Sequence, residues 1–511
     1  MKVVQGVLDR EYALATVDPR IFGSFVEMLG RCVYSGIYEP GHPDADEQGM
    51  RRDVLALVRE LRPPVIRFPG GNFVSNYRWE DGVGPVDQRP RRLDMAWATT
   101  ETNEFGTGEF MNWCKKAGTN PMMAVNLGTR GPAEAAALME YCNHEGGTYW
   151  SDLRKSHGAA QPYGVKLWCL GNEMDGPWQM GAKTAYEYGR TAREAGKLMK
   201  WIDPSVELVV CGSSNRAMPT FGRWEAQVLE ESYDVADYVS LHTYYGNSDH
   251  DTDNFLARSL DMDRFIREVV ATCDYVKAIK RSDKRINLSF DEWNVWFHSN
   301  EESNRLMEKS ARWGSQLPLL EDVYTMEDAL LVGEMLITLM NHADRVKIAC
   351  QAQLVNVIGL IMTRRGGPAW RQSIFYPFAQ ASSLAQGGTV YQAKLDAPRH
   401  DTKDFTDVPM VEMAAVRPAE GGLALFVVNR SLDKSALLNL QLRGFEEMTV
   451  QRQSVMRHED LNAVNTADDP CRVTPVPANT AQLRDGQLKA KLPPASWNVI
   501  LLEEQGSKDS R

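Results

Sequence analysis

The chain predicts an α/β protein: a (β/α)8 TIM barrel followed by a C-terminal antiparallel β-sandwich that the N-terminal strands join. Three observations predict it. Short apolar runs alternate with helix-period segments through residues 18–380. Beyond about Phe378 the helical period disappears, and short alternating runs follow one another between Gly, Pro and Asn turns. Two of the apolar runs, Val165-Lys-Leu-Trp-Cys-Leu-Gly-Asn-Glu-Met174 and Ile286-Asn-Leu-Ser-Phe-Asp-Glu-Trp-Asn294, stop abruptly at polar residues. A buried parallel strand reads this way where it emerges at a barrel rim.

Residues 1–17 alternate irregularly and read as a strand pair belonging to the sandwich. The first barrel strand is expected at 21–25. A helix at 53–61, with Val54, Leu57, Val58 and Leu61 at helical spacing, is stopped by Pro63-Pro64. Strand 65–68 runs into the turn Pro69-Gly-Gly-Asn72. A helix at 108–117 ends at Gly118, a C-cap, before strand 121–126. A helix at 133–142 leads through a loop to strand 168–173. The alternation continues with helix 182–200, strand 206–211, helix 224–231, strand 238–242, helix 263–280 and strand 286–292. Thr325-Met-Glu-Asp328 is a capping box opening a helix to about His342, and strand 345–350 completes eight. The sandwich, 381–511, is expected to hold strands at 411–416, 423–428, 436–442, 448–455 and 496–502. A polar loop is expected at 457–485 and a disordered charged tail at 503–511.

At 511 residues the chain is long enough for one large domain and a smaller second one. Net charge is −11 and no Lys/Arg stripe stands out, so nucleic acid is not an expected partner. The first ten residues contain no signal-peptide apolar stretch and no segment reaches transmembrane length, so no membrane association is expected. The eight cysteines are widely spaced, without a Cys-x-x-Cys pair, which suits reduced buried thiols and a cytoplasmic location.

In a (β/α)8 barrel the chemistry sits at the C-terminal ends of the strands. The polar residues at those positions are Glu27, Arg67, Asn72, Asn126, Asn172, Glu173, His242, Tyr244, Glu292 and Gln353. Any one of them is most simply a solvated rim residue. Together they suit a sugar, which presents several hydroxyls and a ring. Two carboxylates, Glu173 after the fourth strand and Glu292 after the seventh, are the equipment of a glycosidase. Asp291 adjoins Glu292, and because neighbouring strand residues face opposite ways only one of them is expected to enter the site. Spacing leaves open which.

Metal chemistry would cluster His with acids, and only His242 is so placed; no His-Glu-x-x-His occurs, so neither metal nor cofactor is expected. Lys347 opens the eighth strand, the wrong end for a Schiff base. Gly-x-Ser-x-Gly and Gly-x-Gly-x-x-Gly are absent. A non-catalytic sugar-binding protein remains a second class of reading, though it would have no need of the paired glutamates.

Several segments, in order, resemble the α-L-arabinofuranosidases of glycoside hydrolase family 51. They are Ser24-Phe-Val-Glu-Met-Leu-Gly-Arg31, Ile66-Arg-Phe-Pro-Gly-Gly-Asn-Phe73, Leu93-Asp-Met-Ala-Trp97, Glu101-Thr-Asn-Glu-Phe105, Trp168-Cys-Leu-Gly-Asn-Glu-Met-Asp-Gly-Pro-Trp178, Leu241-His-Thr-Tyr-Tyr245, Phe290-Asp-Glu-Trp-Asn-Val-Trp296 and Ala352-Gln-Leu-Val-Asn-Val357. Gly-Asn-Glu alone recurs across the clan; the ordered set is far more specific. The resemblance implies a retaining enzyme, with Glu173 as acid/base and Glu292 as nucleophile; the absence of a secretion signal favours exo action on imported oligosaccharides, since polymers stay outside. It implies that Glu27, Asn72, Asn172, Tyr244 and Gln353 hold the arabinofuranose, Asn172 at the 2-hydroxyl, and that Arg67 supports the nucleophile. Trp97, Trp178 and Trp296 lie close enough to stack on sugar faces, with core packing an equal expectation for Trp178. A homo-oligomer, a hexamer in many family members, is implied as well. Expected substrates are arabino-oligosaccharides, arabinan or arabinoxylan fragments, with the linkage open. β-Xylosidase or endo-β-glucanase activity on the same machinery is the nearer alternative.

Overall fold

The computed structural model describes residues 1–308 and 312–504. Eight parallel strands close into a barrel in chain order: Gly23–Phe25, Val65–Phe68, Asn120–Val125, Leu167–Leu170, Glu207–Val210, Tyr238–Tyr245, Asn287–Val295 and Val346–Gln351. Each lies where the sequence expects one. Such strands are covered on both faces, so Val65–Phe68 and Leu167–Leu170 are buried at every residue. The expected helices fill the crossovers as Arg52–Leu61, Thr107–Ala117, Pro132–Asn143, Ala185–Ile202, Arg223–Ser232, Ser259–Lys280 and Met326–Asn341. Gly118 ends its helix at φ 77°, its amide bonded to the Cys114 carbonyl. At the capping box, the Asp328 amide donates to Thr325 Oγ1 (3.3 Å) and the Thr325 amide donates back to the Asp328 carboxylate (2.8 Å).

Four further helices, Tyr149–Ser156, Thr252–Leu256, Asn300–Glu308 and Phe375–Ala385, have no expected counterpart. The last is rich in aromatic and small residues without a polar face, which hides its period. It runs through residue 380, and the next strand, Thr389–Asp396, begins the second sheet.

That sheet has ten strands. Lys2–Thr16 enters it as one long strand rather than a pair. It lies antiparallel to Thr389–Asp396 and parallel to Ala436–Arg443, with a register break between Leu8 and Ala13. That break accounts for its irregular alternation. The polar loop expected at 457–485 contains two short strands, Val476–Ala478 and Gln482–Arg484. Three residues cannot display a period of two. Glu503 and Glu504 finish the strand Ser496–Glu504, and the rest of the expected charged tail, 505–511, lies outside the described residues.

Strand Leu423–Asn429 joins the two cores. Leu423, Leu425 and Val427 point into the core of the second sheet, and Ala424, Phe426 and Val428 into that of the barrel. Helix Met326–Asn341 meets it from the barrel side. All of its residues but Asn341 are buried, as expected of a helix covered all round.

Candidate active site

The C-terminal mouth of the barrel collects the polar strand ends. Glu27 follows the first strand and Arg67 lies on the second. Asn72 opens a short 3-10 turn, Asn72–Asn76. Trp97 sits at the tip of a hairpin, Arg92–Asp94 against Thr99–Glu101, inserted after the second strand. Glu173 follows the fourth strand in a left-handed conformation, φ 43°, two residues after Gly171 at φ 91°. Such backbone is costly for a side-chain-bearing residue and concentrates at functional sites. The sixth and seventh strands are the longest of the barrel and place His242 opposite Glu292 and Tyr244 opposite Asn294.

The seventh strand breaks the alternation rule. Its pairing slips on both sides between Ser289 and Trp293, and this bulge turns Asp291 and Glu292 both inward. The expectation that only one would face the site needs correcting. Asp291 lies deeper, 3.7 Å from Arg67 Nε and 3.3 Å from His242 Nε2. Glu292 lies above it and reaches the cavity.

Three donors hold the carboxylates. Arg67 Nη1 donates to Glu292 Oε1 (2.5 Å) and Nη2 to Asn172 Oδ1 (2.6 Å). The Tyr244 hydroxyl donates to Glu292 Oε2 (2.8 Å). His242 Nδ1 lies 2.8 Å from Glu173 Oε1 and 3.5 Å from Glu292 Oε2. Burial opposes a charge on His242, but Glu292, Asp291 and Glu173 outweigh it and push its pKa up to about 10. Burial likewise opposes the charge of Asp291, yet Arg67 and His242 hold its carboxyl below the usual range. Glu27 is pushed up to about 8 by burial and by the charge of Glu292, against the Phe73 amide and Trp97. Its Oε1 accepts from the Phe73 amide (2.9 Å) and Trp97 Nε1 (3.0 Å), and its Oε2 from Gln353 Nε2 (3.2 Å).

A cavity of about 490 Å³ opens over these groups. Glu27, Asn72, Trp97, Glu173, Tyr244, Glu292, Trp296 and Gln353 line it. Arg67 and Asn172, each 1% exposed, stand behind the wall, and Asn172 Nδ2 donates to Asn72 Oδ1 (3.2 Å). The rings of Tyr244 and Trp296 meet edge to face at 5.4 Å. Asn126 is not brought in; it organises its own loop through the Gly128 and Thr129 amides. Trp178 is not core: it is 50% exposed, and its Nε1 donates to Glu173 Oε2 at 2.7 Å.

Sequence reasoning assigned no role to His242, and only the sheet register reveals that it bridges both glutamates. It also missed Ser214 and Asn215 on the wall. Ser214 is held there by Asp175, whose carboxylate accepts the Ser214 amide at 3.0 Å. No motif marks them.

Oxygens of Glu173 and Glu292 and a ring nitrogen of His242 lie within 4.8 Å of one another, close enough to resemble a metal-ligand set. With a proton on Nδ1 directed at Glu173, the imidazole has no lone pair to offer there, so the trio is a charge network. A larger cleft of about 770 Å³ runs between Arg62, Gln386, Gln451 and Glu503, and has no aromatic wall to receive a sugar ring.

Residues 57–264 match the family model described as the α-L-arabinofuranosidase 1 domain, and residues 291–496 the α-L-arabinofuranosidase C-terminal domain. The chain is 58% identical over 497 residues to an intracellular exo-α-(1→5)-L-arabinofuranosidase of Halalkalibacterium halodurans, covering 97% of this chain and 98% of that one. It is 57% identical over 506 residues to intracellular exo-α-(1→5)-L-arabinofuranosidase 1 of Bacillus subtilis, covering 99% and 100%. A solved family 51 α-L-arabinofuranosidase from Bifidobacterium longum superposes with a TM-score of 0.94 at 43% identity, over 98% of this chain and 100% of that chain.

Proposed function

The chain belongs to glycoside hydrolase family 51, the α-L-arabinofuranosidases, and from that premise we propose how its site divides the work. It is a retaining, exo-acting α-L-arabinofuranosidase. Glu292 is the nucleophile and attacks the anomeric carbon. Glu173 protonates the departing oxygen, and a furanosyl ester of Glu292 forms. Glu173 then takes a proton from water, which attacks the same carbon and releases arabinose with its configuration retained.

The observation that carries the retaining mechanism is the spacing. An oxygen of Glu173 and one of Glu292 lie within 4.8 Å, matching the roughly 5 Å of retaining pairs and leaving no room for the water that inverting pairs hold across roughly 6.5–9.5 Å. The surroundings support the roles. Arg67 and Tyr244 donate to both oxygens of Glu292, which fixes its carboxylate in place for attack. Glu173 shares His242 and Trp178 and sits at the more open side. Glu27, Asn72, Tyr244 and Gln353 hold the ring, with Asn172 at the 2-hydroxyl, and Trp97 and Trp296 flank it. Arg67 acts through Glu292 and Asn172.

We propose α-(1→5)-linked arabino-oligosaccharides as the substrate, a cytoplasmic location and a homo-oligomer. The first two rest on the printed names of the relatives. No helix among the described residues is long and apolar enough to cross a membrane.

The test is to assay wild type, Glu173→Ala and Glu292→Ala on aryl α-L-arabinofuranoside and aryl β-D-xyloside. Glu292→Ala should lose at least about 10³-fold in kcat. Glu173→Ala should recover turnover with azide or a good leaving group. Preference for the xyloside would overturn the substrate assignment, and full activity in both variants would overturn the site. Inverted early products by proton NMR would overturn the double displacement.

A further inference from the structure

The motifs Leu93-Asp-Met-Ala-Trp97 and Glu101-Thr-Asn-Glu-Phe105 enter the catalytic site only through Trp97. In their hairpin Arg92 opposes Glu101 and Asp94 opposes Thr99. Opposed residues share a face, so Asp94 and Glu101 project from the same face as diagonal neighbours. Both are buried, at 2% and 6% exposed, and both line a separate cavity of about 180 Å³ beneath the hairpin, together with Asn103, Tyr77 and Asp81.

The ligand atoms that Asp94, Glu101 and Asn103 offer are all oxygens, and Arg92 shares their face. The Asp94 carboxylate accepts the Ala96 amide (2.9 Å) and the Thr99 hydroxyl (3.3 Å). Glu101 Oε1 accepts the Tyr34 hydroxyl (2.5 Å) and the Asn103 amide (2.6 Å). Asn103 is 1% exposed; its Nδ2 is anchored on the Pro90 carbonyl (2.6 Å), while its Oδ1 has no hydrogen-bond partner. The neighbouring Thr102 Oγ1 is orphaned too. Buried oxygens without a donor are rare and require an explanation. Of the two arginines on the cavity wall, Arg92 is engaged by Asp81 at 2.8 Å and Arg78 is exposed. The hydrogen bonds that both buried carboxyls accept come from neutral donors.

We propose that this cavity binds a hard divalent cation, Ca²⁺ in preference to Mg²⁺, through Asp94, Glu101 and Asn103 Oδ1, with water completing the shell. Carboxylate and amide oxygens select such ions over thiophilic metals, and Ca²⁺ tolerates an irregular cage where Mg²⁺ demands an octahedron. The bound ion ties the two strands of the hairpin together beneath Trp97, whose Nε1 reaches Glu27. The site is independent of the roles given to Glu173 and Glu292.

The full chain, dialysed against chelator, is titrated with Tb³⁺ under tyrosine and indole excitation. Tyr34, Tyr77 and Trp97 lie close enough to sensitise the ion. Saturable emission at one ion per chain, displaced by CaCl2, is expected, with a Ca²⁺-dependent rise in Tm. Asp94→Asn and Glu101→Gln should each weaken Tb³⁺ at least tenfold, and Asn103→Asp should tighten it. Glu292→Gln should leave it unchanged. Loss of emission in Glu292→Gln would place the ion on the catalytic glutamates and overturn the proposal. So would unchanged affinity in both Asp94→Asn and Glu101→Gln. If those variants do not fold, the wild type alone decides: no saturable emission and no Ca²⁺ shift in Tm overturns it.

Discussion

Glu173 and Glu292 are the same residue type made different by their neighbours. Glu292 receives a guanidinium and a phenol, and charged hydrogen bonds of this kind contribute about 1.5–3 kcal/mol each. Tyr244→Phe should therefore lower kcat/KM by about 10–100-fold while leaving far-UV circular dichroism unchanged; an effect below twofold would remove Tyr244 from the site. His242 carries a linked pH effect. Its pKa rises from 6.5 unfolded to about 10 folded, so folding takes up a proton between those values. The stabilisation is fully present below pH 6.5 and is lost as pH rises through about 10. The Tm difference between wild type and His242→Gln should accordingly shrink from pH 7 to pH 10. A difference that grows would reverse the sign of the argument.

Elements set the precision of these contacts. The bulge in Asn287–Val295 brings two successive acids inward, and the left-handed turn at Glu173 lifts its carboxylate over the rim. Helix Met326–Asn341 shows how closely the elements approach. A Cβ on Gly333 would lie 2.6 Å from Trp497 Cε3, so Gly333→Ala should cost about 1–3 kcal/mol by overpacking, seen as a lower urea midpoint at unchanged slope. Thr325→Ala removes the cap of the same helix and should cost about 1 kcal/mol. Strands, caps and breakers such as Pro63-Pro64 and Gly118 were legible because their signals are local. The bulge was not, since it exists only in the pairing of neighbouring strands. Helix Phe375–Ala385 was missed because its less buried face, Tyr376, Ala379, Gln380, Ser383 and Leu384, carries no charge to contrast with its apolar one.

At the scale of the whole molecule, the barrel and the second sheet are joined by a buried charge cluster. Arg430 reaches Glu334 on the barrel helix (3.0 Å) and Glu412 on the sheet (2.8 Å). Two acids compete for one guanidinium. Glu334, wholly buried, is pushed up by burial to about 8 despite Arg430, with Glu412 adding to the rise. It binds a proton on folding, so its contribution is present below pH 4.5 and is lost as pH rises through about 8. Glu334→Gln should flatten the fall in stability between pH 5 and 8; an unchanged slope would show that another group titrates. Arg430→Met should destabilise by about 3–5 kcal/mol, the cost of a buried charge left without its partner, measured by chemical denaturation at pH 9, above the pH at which Glu334 holds its proton.

The sequence by itself determined the barrel, the sheet that the N-terminal strand enters, the family, and the two glutamates with most of the groups around them. These follow from hydrophobic period and from motifs a few residues long, which local chemistry dictates. Tertiary structure alone decided that Asp291 and Glu292 face the same way, that His242 spans both carboxylates, that Trp178 caps Glu173 rather than filling the core, and that Asp94, Glu101 and Asn103 share a cavity. Each depends on groups distant in the chain, whose distances are set by strand register and barrel closure, and no local pattern encodes those.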